Sequence, residues 1–168
     1  LSGRPGALLA DEMGLGKTYQ ALAFFAWLRS SGVAEAFGPM LIVAPEGLLA
    51  NWEVEARRHL EPDALGRVVH AYGAELGRAD VAGGADIDAG PVMIDSASWL
   101  DAGIVLTTYE TIRYYHMSFA RQPFAVILYD EAQELKNPAS QVTRAAKTLN
   151  AKFQLAMTGT PIEYSLQG

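Results

Sequence analysis

The chain has 168 residues, half of them hydrophobic and 19% charged, which supplies enough apolar material for one packed domain and excludes a disordered tail or a fibrous repeat. Thirteen basic against nineteen acidic residues leave a formal net charge of −6, so broad attraction to nucleic acid or anionic lipid is not expected and any nucleic-acid contact must be local. Cysteine is absent, which removes disulfides and thiolate metal sites, and three scattered histidines (His59, His70, His116) argue against a zinc centre, so no structural metal is expected.

The first short apolar run, Ala7 to Ala10, reads as a strand and leads through a Gly-containing loop into a helix over Thr18 to Arg29, where Ala21, Leu22, Phe25 and Leu28 share one face and Gly32 closes the segment. A second strand follows at Met40 to Ala44, a helix at Leu48 to Leu60, and further strands at Arg67 to Ala71, Ile104 to Thr107 and Val126 to Tyr129. A helix over Gln141 to Leu149 and a sixth strand at Gln154 to Met157 complete the pattern. Most of these runs are continuously apolar, as expected of strands buried on both faces of a mainly parallel sheet flanked by helices, so the fold class is α/β with right-handed crossovers.

Residues 72–103 break the alternation: they are rich in Gly, Ala and Asp and offer only Val92 to Ile94 and Trp99 to Leu100 for burial. A surface excursion with a turn or two of helix is expected there, the alternative being a partner-binding insertion. The longest apolar run, Ala21 to Leu28, falls far short of the roughly 18 to 20 residues that span a bilayer. No secretory pattern opens the chain, so no membrane partner is expected and the compartment should be intracellular, whether cytoplasmic, nucleoid or nuclear. Leu1 lies just before the first strand and Gly168 just after the last, the outline of a single lobe, 1–168, cut from a longer protein.

The chemistry starts in the first loop. Asp11, Glu12, Met13, Gly14, Leu15 and Gly16 connect strand to helix, and Lys17 and Thr18 open the helix. Gly14 and Gly16 let successive N–H groups turn inward toward phosphate oxygens at a helix N-terminus, Lys17 can reach the β and γ phosphates, and the Thr18 hydroxyl can ligate Mg²⁺. The strict phosphate-loop pattern is broken, because Asp11 stands where its first Gly belongs; a Gly-rich turn with a solvated lysine is the alternative. A magnesium site needs a second acid, and the strand Val126 to Tyr129 runs straight into Asp130 and Glu131. Asp130 would hold the ion, through water, while Glu131 would orient or deprotonate the attacking water. The alternative is a solvated helix start capped by Asp130.

These segments resemble superfamily-two helicase-type ATPases and, within them, the Swi/Snf family of DNA-dependent translocases. Leu8 to Gln20 (LLADEMGLGKTYQ) is similar to the first motif of that family, Asp11 included. Leu41 to Glu55 (LIVAPEGLLANWEVE) resembles the next, in which a Pro-containing turn and the following helix face DNA, and Val105 to Glu110 (VLTTYE) resembles a third. Tyr129 to Ser140 (YDEAQELKNPAS), preceded by the apolar strand Phe124 to Leu128, resembles the Asp-Glu-Ala-Gln or Asp-Glu-Ala-His box with its trailing Lys136 and Asn137, and Met157 to Ile162 (MTGTPI) resembles the coupling motif. Thr158, Gly159, Thr160 and Pro161 distinguish it from the Ser-Ala-Thr of RNA helicases. Tyr19, in place of an aliphatic residue, and Tyr164, in place of Asn, depart from the pattern.

The resemblance implies a RecA-like lobe that binds ATP and Mg²⁺ and hydrolyses ATP to translocate on duplex DNA and remodel protein–DNA complexes. It also implies that a second RecA-like lobe, which supplies an arginine finger, is needed for turnover, so that this lobe alone should be nearly inactive. Gln133 would link the box to Thr158 or Thr160 and sense nucleotide state, the alternative being a polar residue that starts a helix. Asn51, Thr107 and Thr108, with Pro45 and Tyr109 beside them, are the candidate DNA contacts, with ordinary capping as the alternative. Trp52 reads as a core anchor on an amphipathic helix, the alternative being a base-stacking platform, and Arg57 and Arg58 as a solvated face, the alternative being a contact with DNA. A nucleotide-binding switch that does not turn over, or an RNA helicase lobe, are the competing functions.

Overall fold

A computed structural model describes residues 6–10, 15–79, 94 and 96–158. Among these described residues six strands form one sheet in the order β1-β6-β5-β2-β4-β3, where β1 is Gly6–Ala10, β2 Met40–Val43, β3 Val68–His70, β4 Ile104–Thr107, β5 Pro123–Tyr129 and β6 Asn150–Thr158. Every pairing is parallel. The six expected strands are therefore present, in the α/β layout that continuous apolar runs require.

The pleat sorts each strand into two cores. Leu41, Val43, Val105, Ile127 and Tyr129 face one side of the sheet, and Met40, Ile42, Ile104, Leu106, Val126 and Leu128 face the other. The second side is covered by helix α1 (Leu15–Ser30), through Ala21, Leu22, Phe25 and Leu28, and by α3 (Glu46–His59), through Leu49 and Trp52. The face predicted for the first helix is thus the buried one. Short α2 (Val33–Phe37) leads from α1 toward β2, and the turn before β2 needs Gly38: with φ +107, a Cβ there would meet the Pro123 carbonyl oxygen at 2.2 Å, so only glycine lets β2 start beside β5.

The first side is covered by α5 (Tyr109–Tyr114), α6 (His116–Arg121) and α7 (Gln141–Thr148). Ser140 caps α7 by accepting from Thr143 N–H at 3.2 Å, and Thr108 caps α5 by accepting from Thr111 N–H at 3.0 Å.

Part of the segment 72–103 lies outside the described residues. What is described includes the two-turn helix α4 (Gly73–Ala79), in keeping with the turn or two of helix expected, and an inward contribution from the two short apolar runs. Ile94 and Trp99 are buried, and the Trp99 ring packs on Phe119 with centroids 5.0 Å apart. Arg67 ties this region to the start of β3 by donating to Ser98 O at 2.6 Å and to Asp101, whose carboxyl it holds below the usual aspartate range. At the other end of β3, His70 sits between Glu53 of α3 and Glu75 of α4, with Nδ1 3.2 Å from the latter. Among the described residues no helix is long and apolar enough to cross a membrane.

Candidate nucleotide site at the carboxyl edge of the sheet

Because all strands run the same way, their carboxyl ends gather on one edge, where open α/β sheets bind ligands. The register aligns Ala10 of β1 with Thr158 of β6, and Tyr129 of β5 with Ala156 of β6 and Val43 of β2. The beginning of α1, the end of β6 and the Asp130-Glu131 pair consequently meet along that edge. Asp11, Glu12, Met13 and Gly14 of the expected phosphate loop, Gly159 and Thr160 of the coupling motif, and Tyr164 lie outside the described residues. Leu15 and Gly16 form the first positions of α1, with Thr18 half-buried beside them.

Lys17 is only 4% exposed, and its ammonium donates to the Thr158 carbonyl at 2.6 Å, 141 residues along the chain. A lysine that could extend into water is instead folded against the end of β6, which does not agree with a solvated lysine at the end of a turn. Thr158 then turns its hydroxyl the other way and donates to Gln133 Oε1 at 3.0 Å. The Gln133 amide in turn donates to Glu131 Oε2. Lys17, Thr158, Gln133 and Glu131 are therefore one continuous hydrogen-bonded chain, and Thr158 is the described coupling residue that Gln133 reaches.

Glu131 has φ 53, and among the described residues it is the only non-glycine with positive φ. Such a backbone costs on the order of 1 to 3 kcal/mol and is kept where the surroundings impose it. It lets two adjacent acids diverge. Glu131 heads the 3₁₀ turn Ala132–Leu135 and reaches Gln133, whereas Asp130 turns toward α3. Asp130 Oδ1 accepts from Glu131 N–H at 2.9 Å and Oδ2 from the Trp52 indole at 2.9 Å. Burial pushes the Asp130 carboxyl above its ordinary value, against the lowering effect of those two donors, with Glu131 adding to the rise and Lys17 opposing it. A carboxylate oxygen offers two lone pairs, so one N–H on each does not saturate it. A poorly solvated carboxylate with acceptor capacity, within electrostatic reach of Lys17 in the first turn of α1, fits a magnesium ion, which Asp130 and Thr18 would hold.

The expected DNA contacts divide. Asn51 is exposed and Pro45 half-buried at the start of α3, both open to an outside partner. Thr107 is fully buried and donates to Ala71 O at 2.8 Å, Thr108 spends its side chain on the α5 cap, and Tyr109, 7% exposed, donates to Asp130 O at 2.6 Å. The side chains of these three face inward, where strand ends offer carbonyls and N–H groups that need partners. Capping, the alternative reading for threonine here, describes Thr108. Arg57 and Arg58 are exposed and pair along their own helix with Glu53 and Glu55, as a solvated face does. Tyr19, the departure in the first motif, packs edge-on against His59 of α3 at 5.1 Å.

Trp52 and Tyr109 are the residues whose place in the site the sequence did not give away. Both are buried aromatic residues with a polar tip, and that tip must find an acceptor when buried; here both acceptors belong to Asp130. A cavity of about 240 Å³ beside β3, lined by Arg67, His70, Leu76, Ile94 and Trp99 among others, shares no residue with this cluster.

The profile of the SNF2-related domain matches residues 2–168. The chain belongs to this family. Among curated relatives, the Zorya protein ZorD of Escherichia coli is 42% identical over 170 residues, covering 96% of this chain and 15% of that protein. The ATP-dependent helicase Fft2 of Schizosaccharomyces pombe is 39% identical over 163 residues, covering 95% of this chain and 11% of that protein. Among solved structures, the Sulfolobus solfataricus SWI2/SNF2 ATPase core in complex with dsDNA superposes with a TM-score of 0.73 at 30% identity, covering 96% of this chain and 29% of that one. The fold of this SNF2-related domain is accordingly RecA-like, and the domain is of the kind found in ATP-dependent helicases.

Proposed function

We propose that this SNF2-related domain is the first of two RecA-like lobes of an ATPase that uses ATP hydrolysis to move along duplex DNA and remodel protein–DNA complexes. One observation supports this reading above the others: the unbroken bond chain from Lys17 through Thr158 and Gln133 to Glu131. It joins the residue suited to hold phosphates to the residue suited to handle water, across three strands, and a plain structural lysine would not need such a path. The dsDNA in the Sulfolobus solfataricus relative supports duplex DNA as the track.

In this reading Lys17 leaves the Thr158 carbonyl for the β and γ phosphates, and the N–H groups at the start of α1 take the remaining phosphate charge. Thr18 and Asp130 hold Mg²⁺, which neutralises charge on the transferring phosphate when bound. Glu131, with one oxygen tied to Gln133, orients the attacking water and receives its proton. Gln133 and Thr158 report that event to the end of β6. Asn51 and Pro45 at the start of α3 meet the DNA backbone, a contact that positions without reading sequence. An arginine from the second lobe completes the charge stabilisation.

The experiment is Glu131→Gln in a protein extended through a second lobe. The amide keeps shape and loses the basic oxygen, so Mg-ATP affinity should stay within about threefold while turnover falls by the 10²- to 10⁴-fold range of general-base loss. Wild-type turnover in Glu131→Gln would refute the assignment.

A further inference from the structure

We infer that Trp52 is a positioning residue for the Asp130 carboxylate, and that through it α3 is fastened to the acid that holds the metal; this rests on the magnesium role given to Asp130 above. Trp52 is 2% exposed and lies on the buried face of α3 with Leu49, packed against the sheet. Apolar packing alone accounts for its ring. It does not account for its nitrogen, which points past the core to the carboxyl edge and donates to Asp130 Oδ2 at 2.9 Å, 78 residues away.

Asp130 is gripped at four points. Its N–H donates to Val43 O of β2 at 2.8 Å, its carbonyl accepts from the Tyr109 hydroxyl at 2.6 Å, Oδ1 accepts from Glu131 N–H and Oδ2 from Trp52. The Val43 and Tyr109 bonds fix the main chain. The Glu131 bond is between neighbours and follows the carboxylate wherever its main chain goes. Among the described residues only the indole holds the side chain to a separate element, so it decides in which direction the remaining lone pairs of the carboxylate point. Partners that orient a metal-holding group in this way usually account for a 10- to 100-fold difference in metal affinity. Because Trp52 sits next to the exposed Asn51 on the same helix turn, a shift of α3 moves both together.

The indole N–H is also a reporter. The chain carries three tryptophans, Trp27, Trp52 and Trp99. Trp27 is 61% exposed, and Trp99 packs in the core on the opposite face of the sheet from Trp52. In ¹⁵N-labelled protein, with the three indole signals assigned through-bond, Mg-ADP should displace the Trp52 signal well beyond that of Trp99, and ADP with EDTA should displace it less. Trp52→Phe keeps the ring and loses the N–H; the Mg²⁺ concentration for half-maximal ADP binding should rise 10- to 100-fold, with metal-free ADP binding within twofold of wild type. A loss of packing alone would weaken both kinds of binding equally. A Trp52 signal that moves no more than that of Trp99, or a Trp52→Phe protein with the wild-type Mg²⁺ requirement, overturns the inference while leaving the proposed function intact. If Trp52→Phe fails to fold, the wild-type spectra still decide. Wild-type protein that binds ADP without any Mg²⁺ dependence overturns both.

Discussion

Replacing Lys17 by Met separates a phosphate-binding lysine from a structural one. Met retains an unbranched stem of similar length in the 4% exposed position and removes the ammonium that donates to Thr158 O at 2.6 Å. On the stability side, the lost hydrogen bond from a charged donor costs about 1.5 to 3 kcal/mol, and removing a charge from a poorly solvated place offsets most of it. Net stability should therefore change by less than about 1 kcal/mol. On the binding side, an ammonium about 4 Å from a phosphate charge at an effective dielectric near 20 contributes about 4 kcal/mol. Lys17 must give up its carbonyl bond to make that contact, which leaves about 1 to 2.5 kcal/mol, or roughly 5- to 70-fold in Kd. Calorimetric titration of Mg-ATP into wild-type and Lys17→Met protein, beside urea unfolding of each, reads both quantities. Affinity within threefold of wild type would refute the phosphate role, and a binding loss accompanied by more than about 3 kcal/mol of destabilisation would show that Lys17 serves the fold instead.

Asp130 carries a pH dependence whose sign can be stated. Its carboxyl titrates above the ordinary aspartate value in the fold because burial disfavours the charged form, so it contributes stability below the unfolded value, and that contribution is lost as pH rises through the raised one. Compared with wild type, Asp130→Asn should therefore gain relative stability between about pH 4 and neutrality in the absence of Mg²⁺; urea midpoints at the two ends that differ by a constant amount, or in the opposite sense, contradict this. Trp99→Ala should cost about 3 to 5 kcal/mol, the price of emptying a fully buried indole site, measured by chemical unfolding. A cost below about 1 kcal/mol would mean that Trp99 does not anchor this segment to the core.

The strands were legible because each central run is apolar on both faces, and their lengths were less so. β5 begins at Pro123 and β6 at Asn150, three and four residues earlier than the apolar runs suggest, since Pro123 pairs with Asn150 and Phe124 with Ala151 where polar side chains such as Lys152 still face outward. An alternating stretch at the mouth of a parallel strand is hidden beside the continuous one. In the candidate site, the meeting of Lys17, Asp130, Glu131 and Gln133 along one edge was legible because each was read just beyond a strand end, and a parallel sheet gathers those ends on one side. The inward turn of Thr107 and Tyr109 was not, because a hydroxyl next to a strand end can serve an outside phosphate or an inside carbonyl equally well, and only the tertiary position of Ala71 and Asp130 decides. Trp52 showed the same ambiguity in reverse: its amphipathic helix marks it as core, and nothing local tells where its nitrogen points. The left-handed backbone of Glu131 is likewise imposed from outside, since glutamate has no preference for that region.

Steady-state ATP hydrolysis distinguishes the proposed half-site of a DNA-stimulated ATPase from a nucleotide-binding switch. Residues 1–168 and a version extended through a second lobe are assayed with duplex DNA, with RNA and with neither. An arginine finger supplied by a second lobe is worth on the order of 10³ to 10⁵ in rate. At a net charge of −6, with Asn51 and Pro45 the outward-facing candidates for DNA, the short chain should also gain little from counterion release. The expected result is near-background turnover by residues 1–168 under all three conditions, and turnover by the extended protein that duplex DNA stimulates and RNA does not. Robust DNA-stimulated hydrolysis by residues 1–168 alone, or an extended protein that binds ATP and never hydrolyses it, would contradict the proposed function.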